Sequence, residues 1–366
     1  MSDKKVTPPV SVTADVFQKW RSARRGSANP QRMNNPLWEW LIECRFSAYA
    51  ANKALNGPTS IDADPMWCFD RFGQSVTALP NGRSVLIGGE HEAYYDSDFY
   101  IYNDVVVITD GGGTEIYGYP EYIFPPTDFH SASLTGDRIV LIGSLGYPDD
   151  RLIGETQVLV LELDTWSVSR IDTTGSSPGW IHHHNAELRD ASILVTGGLV
   201  CRDDARSLVE NIDDWLLHLD DWRWERLTNR RWIRFELYRQ DRQIYNLWEL
   251  RRALWSKERG MPDAESLERR LRTHLGLEGP PRFDVIPLLY SPSVPHEALP
   301  KDPAKYKEYS IRVDGVMVRY VEDFYTVQLT IEGELPAELI ECMRLELSER
   351  LETLEQSPIV CHQIPA

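Results

Sequence analysis

Between Met66 and Leu227 the chain carries the same pattern three times. Ser75, Ser131 and Asn185 are 56 and 54 residues apart, Gly88, Gly143 and Gly197 are 55 and 54 apart, and Asp110, Asp164 and Asp220 are 54 and 56 apart. Three independent markers sharing one period define an internal repeat, so one supersecondary unit is used three times. Each block holds four strand signals in order: a polar-to-apolar run, a β-branched run closed by glycine, a β-rich run that reaches the Asp, and an aromatic-bearing run. Four short antiparallel strands per unit make the blade of a β-propeller. The glycines after the second run suit a tight turn where a Cβ would clash. The alignment predicts that Gln74, His130 and His184 occupy equivalent positions on the first strands, and that Asp110, Asp164 and Asp220 end the third.

The repeat also carries a recognisable text. The second unit has His130-Ser131 with Trp166, and the third has Gly197-Gly198 with Trp222 or Trp224. In the first unit Tyr117 stands where a Trp is expected, and in the second the glycine pair is Gly143-Ser144. On these residues the segment 67–228 resembles the kelch family, which implies three kelch-like propeller blades. Three blades do not close a ring, since propellers run from about 4 blades upward. Their open edges need a cover: the helix at Pro36 to Leu55, the residues after Thr228, or a second copy of the chain in a homodimer.

The flanking segments read differently. Residues 1–34 show little apolar periodicity and are expected as a loosely ordered arm. In 35–66, Asn35 is placed to cap a helix and Pro36 to open it. Leu37, Leu41, Cys44, Ala48, Ala51 and Leu55 then form one stripe until Gly57-Pro58 stops it. Residues 229–366 mix both periods. A strand is expected at Trp232 to Tyr238, helices around Leu247 and Leu267, a β-like run at Phe283 to Tyr290, and three short strands with a hairpin turn at Asp314-Gly315. A helix after Pro336 and an edge strand in the tail complete a smaller α+β domain. The fold class is therefore multidomain: all-β blades with an N-terminal helix, then α+β.

Charge is distributed unevenly along the chain. Residues 61–220 hold 27 acids against 8 arginines and no lysine, net −19, whereas 223–272 are net +6 within a total of −17. That balance weighs against nonspecific binding to nucleic acid or anionic membranes and favours a basic protein partner. The basic segment reads as a solvated helical face. No apolar run is long enough to span a bilayer. Five scattered cysteines without a CxxC pair fit reduced thiols and a cytoplasmic setting.

No catalytic or cofactor signature is present: neither GxSxG nor a P-loop occurs, and no cofactor is expected. The candidate partner-binding residues lie in one loop between the second and third strands of the first unit. They are Glu90, His91, Glu92, Tyr94, Tyr95, Asp96, Asp98 and Tyr100, acids set among rigid aromatic rings. Metal candidates are His130, His182 and His184; neighbours in a strand alternate faces, so within the His182-His183-His184 run at most His182 and His184 share one. The expected function is a cytoplasmic interaction module whose acidic face binds a basic partner, as an immunity or antitoxin-like protein does. The alternative is a small-molecule enzyme in the propeller mouth that uses His130, His184 and Glu90 as acid-base or metal groups.

Overall fold

The computed structural model describes residues 7–57, 64–93, 96–202, 207–302 and 307–364, and divides into two compact units, Met1–Asn229 and Arg230–Ala366. The first unit opens with α1 (Ala14–Trp20), β1 (Gln31–Arg32), α2 (Pro36–Cys44) and α3 (Ala48–Ala54). The first sheet is built from β2 (Ser75–Ala78), β3 (Ser84–Ile87), β6 (Asp104–Ile108) and β7 (Thr114–Gly118), with a hairpin of β4 (Glu90–Ala93) and β5 (Asp96–Ile101) between β3 and β6. The second is β8 (Ser131–Thr135), β9 (Arg138–Ile142), β10 (Val158–Glu162) and β11 (Val168–Arg170). After β12 (Thr174–Gly175) and β13 (Ile181–His182), the third is β14 (Asn185–Arg189), β15 (Ser192–Thr196), β18 (Trp215–His218) and β19 (Arg223–Arg226), with the hairpin β16 (Leu199–Arg202) and β17 (Ser207–Glu210) inserted. All three are antiparallel meanders, and among the described residues they do not close into a ring.

The repeat is thus one four-stranded sheet per block. Gln74, His130 and His184 immediately precede the first strands, and Asp110, Asp164 and Asp220 sit two residues past the third, in the turn to the fourth. The backbone repeats with the sequence: Gly73, Phe129 and His183 are all left-handed, as are Gly82, Gly136 and Asp190, and Gly112, Trp166 and Trp222. Position 112 shows that Tyr117 is not the counterpart of the tryptophans. It lies on β7 and stacks on Trp166 from the next sheet, at 5.6 Å between centroids.

Alternation along the strands builds two cores. Val85, Ile87, Val105 and Val107 face Ile139, Leu141, Leu159 and Leu161 of the second sheet. The opposite side of that sheet, Val140, Ile142, Val158 and Val160, meets Ile193, Val195 and Leu217 of the third. Period-2 strands buried on both faces read as continuous apolar runs, which is why VVVI, RIVLI and VLVLE look as they do.

The ends of this stack are finished in different ways. Leu86, Val106 and Ile116 on the outer face of the first sheet are covered by α1 and α2, with Trp38 stacked on Trp67 at 4.6 Å. β1 pairs with β7, and β12 pairs with β19 in parallel, so both outer edges gain a fifth strand. The outward row of the third sheet carries Glu187, Arg189, Arg223 and Glu225, a polar cap.

Two N-terminal expectations need correction. Residues 7–34 are not a loose arm: Phe17 and Met33 are buried, Thr13 caps α1, and Met33 N–H donates to Ile116 O at 2.8 Å. A few large apolar groups anchored on a sheet order a segment that has no periodicity of its own. The single helix over Pro36–Leu55 is two, because Arg45 turns left-handed and Ser47 caps a fresh helix through Ala50 N. That local bond competes with continued helix.

The second unit is a six-stranded sheet, in order β21-β22-β23-β24-β20-β25, with its helices packed on one face. In chain order its elements are β20 (Ile233–Arg239), α4 (Asn246–Glu258), α5 (Ala264–His274), α6 (Val285–Leu289), β21 (Glu297–Ala298), β22 (Glu308–Val313), β23 (Val316–Glu322), β24 (Thr326–Ile331), α7 (Ala337–Glu355) and β25 (Ile359–Ile364). Asp314 and Gly315 both have positive φ, as a tight hairpin turn demands. The run Phe283–Tyr290, expected as β-like, holds the short helix α6; periodicity cannot separate the two in so short an apolar stretch.

Candidate functional site

Each sheet of the first unit leaves its second strand through a left-handed glycine, Gly88, Gly143 or Gly197, and diverts into an insertion before its third strand. A Cβ on Gly88 would come within 2.1 Å of Thr127 O, and one on Gly143 within 2.1 Å of Ile181 O, because the next sheet's approach segment presses against the turn. The insertions therefore emerge on one side, and they touch. Ile101 N–H donates to Tyr147 Oη at 2.9 Å, Phe99 meets the Tyr147 ring edge-on at 5.7 Å, and Arg151 reaches Cys201 Sγ at 3.8 Å. Taken together, residues 88–103, 145–157 and 197–212 hold 10 acids and 3 arginines, net −7. Exposed Glu92, Asp149, Asp150 and Glu155 lie in the same insertions as the exposed apolar groups Phe99, Leu152 and Ile153.

Beneath the insertions sits a pair of carboxyls. Asp128 is fully buried, with Oδ1 accepting from Gly146 N–H at 2.7 Å and from Ser144 Oγ at 3.2 Å, while Oδ2 has no donor. Glu90 faces it and is pushed up to about 7, by burial first and by the Asp128 charge second. A proton held on Glu90 supplies the donor that Asp128 lacks.

The histidines have structural partners. His130 Nε2 is hydrogen-bonded to Ser75 Oγ at 2.8 Å, and His184 Nε2 to Ser131 Oγ at 2.8 Å, one sheet back in each case. The backbone repeats the link, with Phe129 N–H donating to Gly73 O and His183 N–H to Phe129 O. Burial pushes His130 down to about 3 and His184 to about 4. Gln74 has no earlier sheet to reach and bonds Gly88 O in its own unit instead. His182 is buried with its Nδ1 2.5 Å from His183 Nδ1, and exposed His183 stacks on Phe129 at 3.9 Å. His130, His182 and His184 are thus fixed by separate neighbours rather than gathered as ligands. Among the described residues no group of three or more His, Cys, Asp or Glu could hold a metal ion.

The loop expected to bind a partner divides on inspection. His91 is buried, bonded to Tyr102 Oη at 2.9 Å and pushed down to about 4 by burial, so it belongs to the core. Tyr100 is half-buried, with the Arg25 guanidinium 4.3 Å over its ring. Their register on paired strands, His91 opposite Tyr100, turns both inward. Glu90 is half-buried and Glu92 exposed. Asp96 and Asp98 lie on β5, and their side chains, like Tyr94 and Tyr95 altogether, fall outside the described residues. Sequence reasoning passed over Asp149, Asp150, Leu152 and Ile153; the signal available was the lengthened gap between second and third strands in all three units. Compared with known proteins, the chain matches no family model and no curated protein.

Proposed function

We propose that the first unit is a kelch-like array of three propeller blades serving as a protein-interaction scaffold, and that its joined insertions bind a basic partner. The observation that carries this is the meeting, at Tyr147 and Arg151, of insertions that carry both acids and exposed apolar groups. Rigid sheets below and loops above are the usual division between scaffold and contact. Phe99, Leu152 and Ile153 supply the apolar anchors, and Glu92, Asp149 and Asp150 steer a cationic partner to them. An immunity or antitoxin-like role, masking a basic toxin, is the concrete form of this reading. What favours the scaffold over the enzyme alternative is that His130 and His184 each bond a serine of the preceding sheet and Glu90 lies against Asp128.

The test is capture from an extract of the source cells on the immobilised full chain, compared with a Glu92→Lys/Asp149→Lys/Asp150→Lys variant. Retained protein should be basic, elute as salt rises past about 0.1 M, and be lost by the variant. For the captured partner, Phe99→Ala should mainly speed dissociation. Identical capture by both chains would rule the surface out.

A further inference from the structure

The first turn after β20 and the helix α4, both in the second unit, present a further surface. α4 buries Leu247, Leu250 and Ala253 against its own unit. Away from these, half-buried Trp248, which also borders the core, and exposed Arg252 and Trp255 follow one another at i, i+4 and i+7, and the C-cap residue Arg259 continues the line, within roughly 60° of arc. Trp255 is 48% exposed. Arg259 lies 5.0 Å over the Trp255 ring and Lys307 4.4 Å over Trp248. Phe324, 42% exposed, packs on Trp248 at 3.9 Å and continues into Tyr325, 51% exposed. Trp255, Phe324 and Tyr325 are thus three large rings exposed around one half-buried tryptophan.

Beside this row, between α4 and α5, opens a cleft of about 450 Å³ lined by Arg252, Arg270 and His274, with Ile244 and Leu271 as its apolar part. Glu249 is the acid in its lining and lies 3.8 Å from Arg270; Arg239 is already engaged by Asp241 and Glu355. Arg252 is exposed and enters no ion pair among the described residues. The row and the cleft share Arg252, so flat rings and cations form one continuous strip.

We infer that this strip binds single-stranded nucleic acid, with bases stacked on Trp255 and the neighbouring aromatic rings and phosphates held by Arg252, Arg259 and Arg270. Sequence-tolerant single-strand binding needs aromatic faces at intervals along a cationic track. Here rings and guanidinium groups alternate along one line of the helix. A membrane-surface helix instead segregates apolar and cationic residues to different faces. An acidic peptide would use the cations but offers no flat group to stack on the exposed Trp255 and Tyr325 rings. The chain's total of −17 does not forbid this, because screening confines each patch to its own surroundings within about 10 Å at 0.1 M salt.

Fluorescence anisotropy of a dye-labelled oligothymidylate of about 12 nucleotides with the full chain, at about 50 mM salt, tests the inference. Binding is expected, accompanied by quenching of tryptophan emission and weakening steeply as salt rises. Trp255→Ala should bind about tenfold more weakly. Arg252→Glu/Arg259→Glu should also weaken binding and flatten its salt dependence. Asp149→Lys/Asp150→Lys, on the acidic surface, should leave the quenching and the Trp255→Ala effect in place, which keeps this result separate from the scaffold reading. No binding by the wild-type chain, equal binding by Trp255→Ala, or competition by oligoglutamate as strong as by unlabelled oligonucleotide would each overturn it. Trp255-dependent binding to phosphatidylserine vesicles without oligonucleotide binding would overturn it in favour of a membrane surface.

Discussion

The interactions that join neighbouring sheets recur residue by residue, and they stop where a neighbour is missing. His130 and His184 reach back one sheet, while Gln74 in the first turns to its own unit. Arg83 lies under Trp166 at 5.0 Å and Arg138 under Trp222 at 5.7 Å, each one sheet ahead. The first sheet has Gly112 in place of the Trp, and the third has Ser192 in place of the Arg. Apparent degeneracy of the motif is therefore a record of position in the stack, and neither end offers the groups that a further unit would use. These buried imidazoles also set the response to acid. His91, His130, His182 and His184 are held at about 3 to 4 against roughly 6.5 in an unfolded chain, so between those values the unfolded state binds more protons. Their contribution to stability is present above 6.5 and lost as pH falls toward 4. Glu90 acts in the opposite sense: held at about 7, it stabilises the fold fully below its ordinary value of 4.5, and that contribution is lost as pH rises through 7. Urea titrations at several pH values should therefore show a shallower acid slope for His130→Gln, which keeps a donor for Ser75 without titrating. Glu90→Gln should remove the loss of stability between 4.5 and 7. Unchanged slopes in both variants would contradict these assignments.

At the scale of the element, the second-to-third-strand turns fix where the insertions emerge. Gly143 has φ of +72°, and an added Cβ would lie 2.1 Å from the Ile181 carbonyl oxygen, a backbone atom that cannot step aside. Gly136, in the preceding hairpin, has φ of +64° with open space around it. Gly136→Ala should cost only the left-handed penalty, about 1–2 kcal/mol. Gly143→Ala should add the collision and cost about 3 kcal/mol or more, measured by chemical denaturation. The strands, the hairpin turn at Asp314-Gly315 and the helix cap at Asn35 were legible because each depends on residues close in sequence. The division of the first long helix was not, since one good apolar stripe runs through both halves and only the competing cap at Ser47 breaks it. The inward turn of His91 was equally hidden: strand register decides which face a residue takes, and a shift of one residue reverses it.

At the scale of the whole molecule, each unit is centred on a buried ion pair of its own. Arg71 donates to both Asp104 oxygens, at 2.5 and 2.9 Å, beneath the Trp67 indole, which also donates to Asp104. Arg251 grips Glu322 through two bonds, at 2.8 and 2.6 Å, and Tyr290 donates to the same carboxylate at 2.7 Å. Removing one member strands the other charge and should cost about 3–5 kcal/mol. Two compact units, each with apolar clusters of its own, should unfold separately. In calorimetry, Asp104→Ala should lower the transition of Met1–Asn229 alone and Glu322→Ala that of Arg230–Ala366 alone; a joint shift in both variants would show one cooperative unit. The sequence by itself determined the repeat, its strands, its turn glycines and the change of pattern after Thr228, because period, turn chemistry and charge are local quantities that a chain carries unfolded. Only the tertiary structure decided that Phe99, Tyr147, Arg151 and Cys201 meet, that Glu90 faces Asp128, and that the histidines serve as links between sheets. Those contacts join residues some 40 to 55 positions apart in successive repeats, and nothing in their spacing records that packing will bring them together.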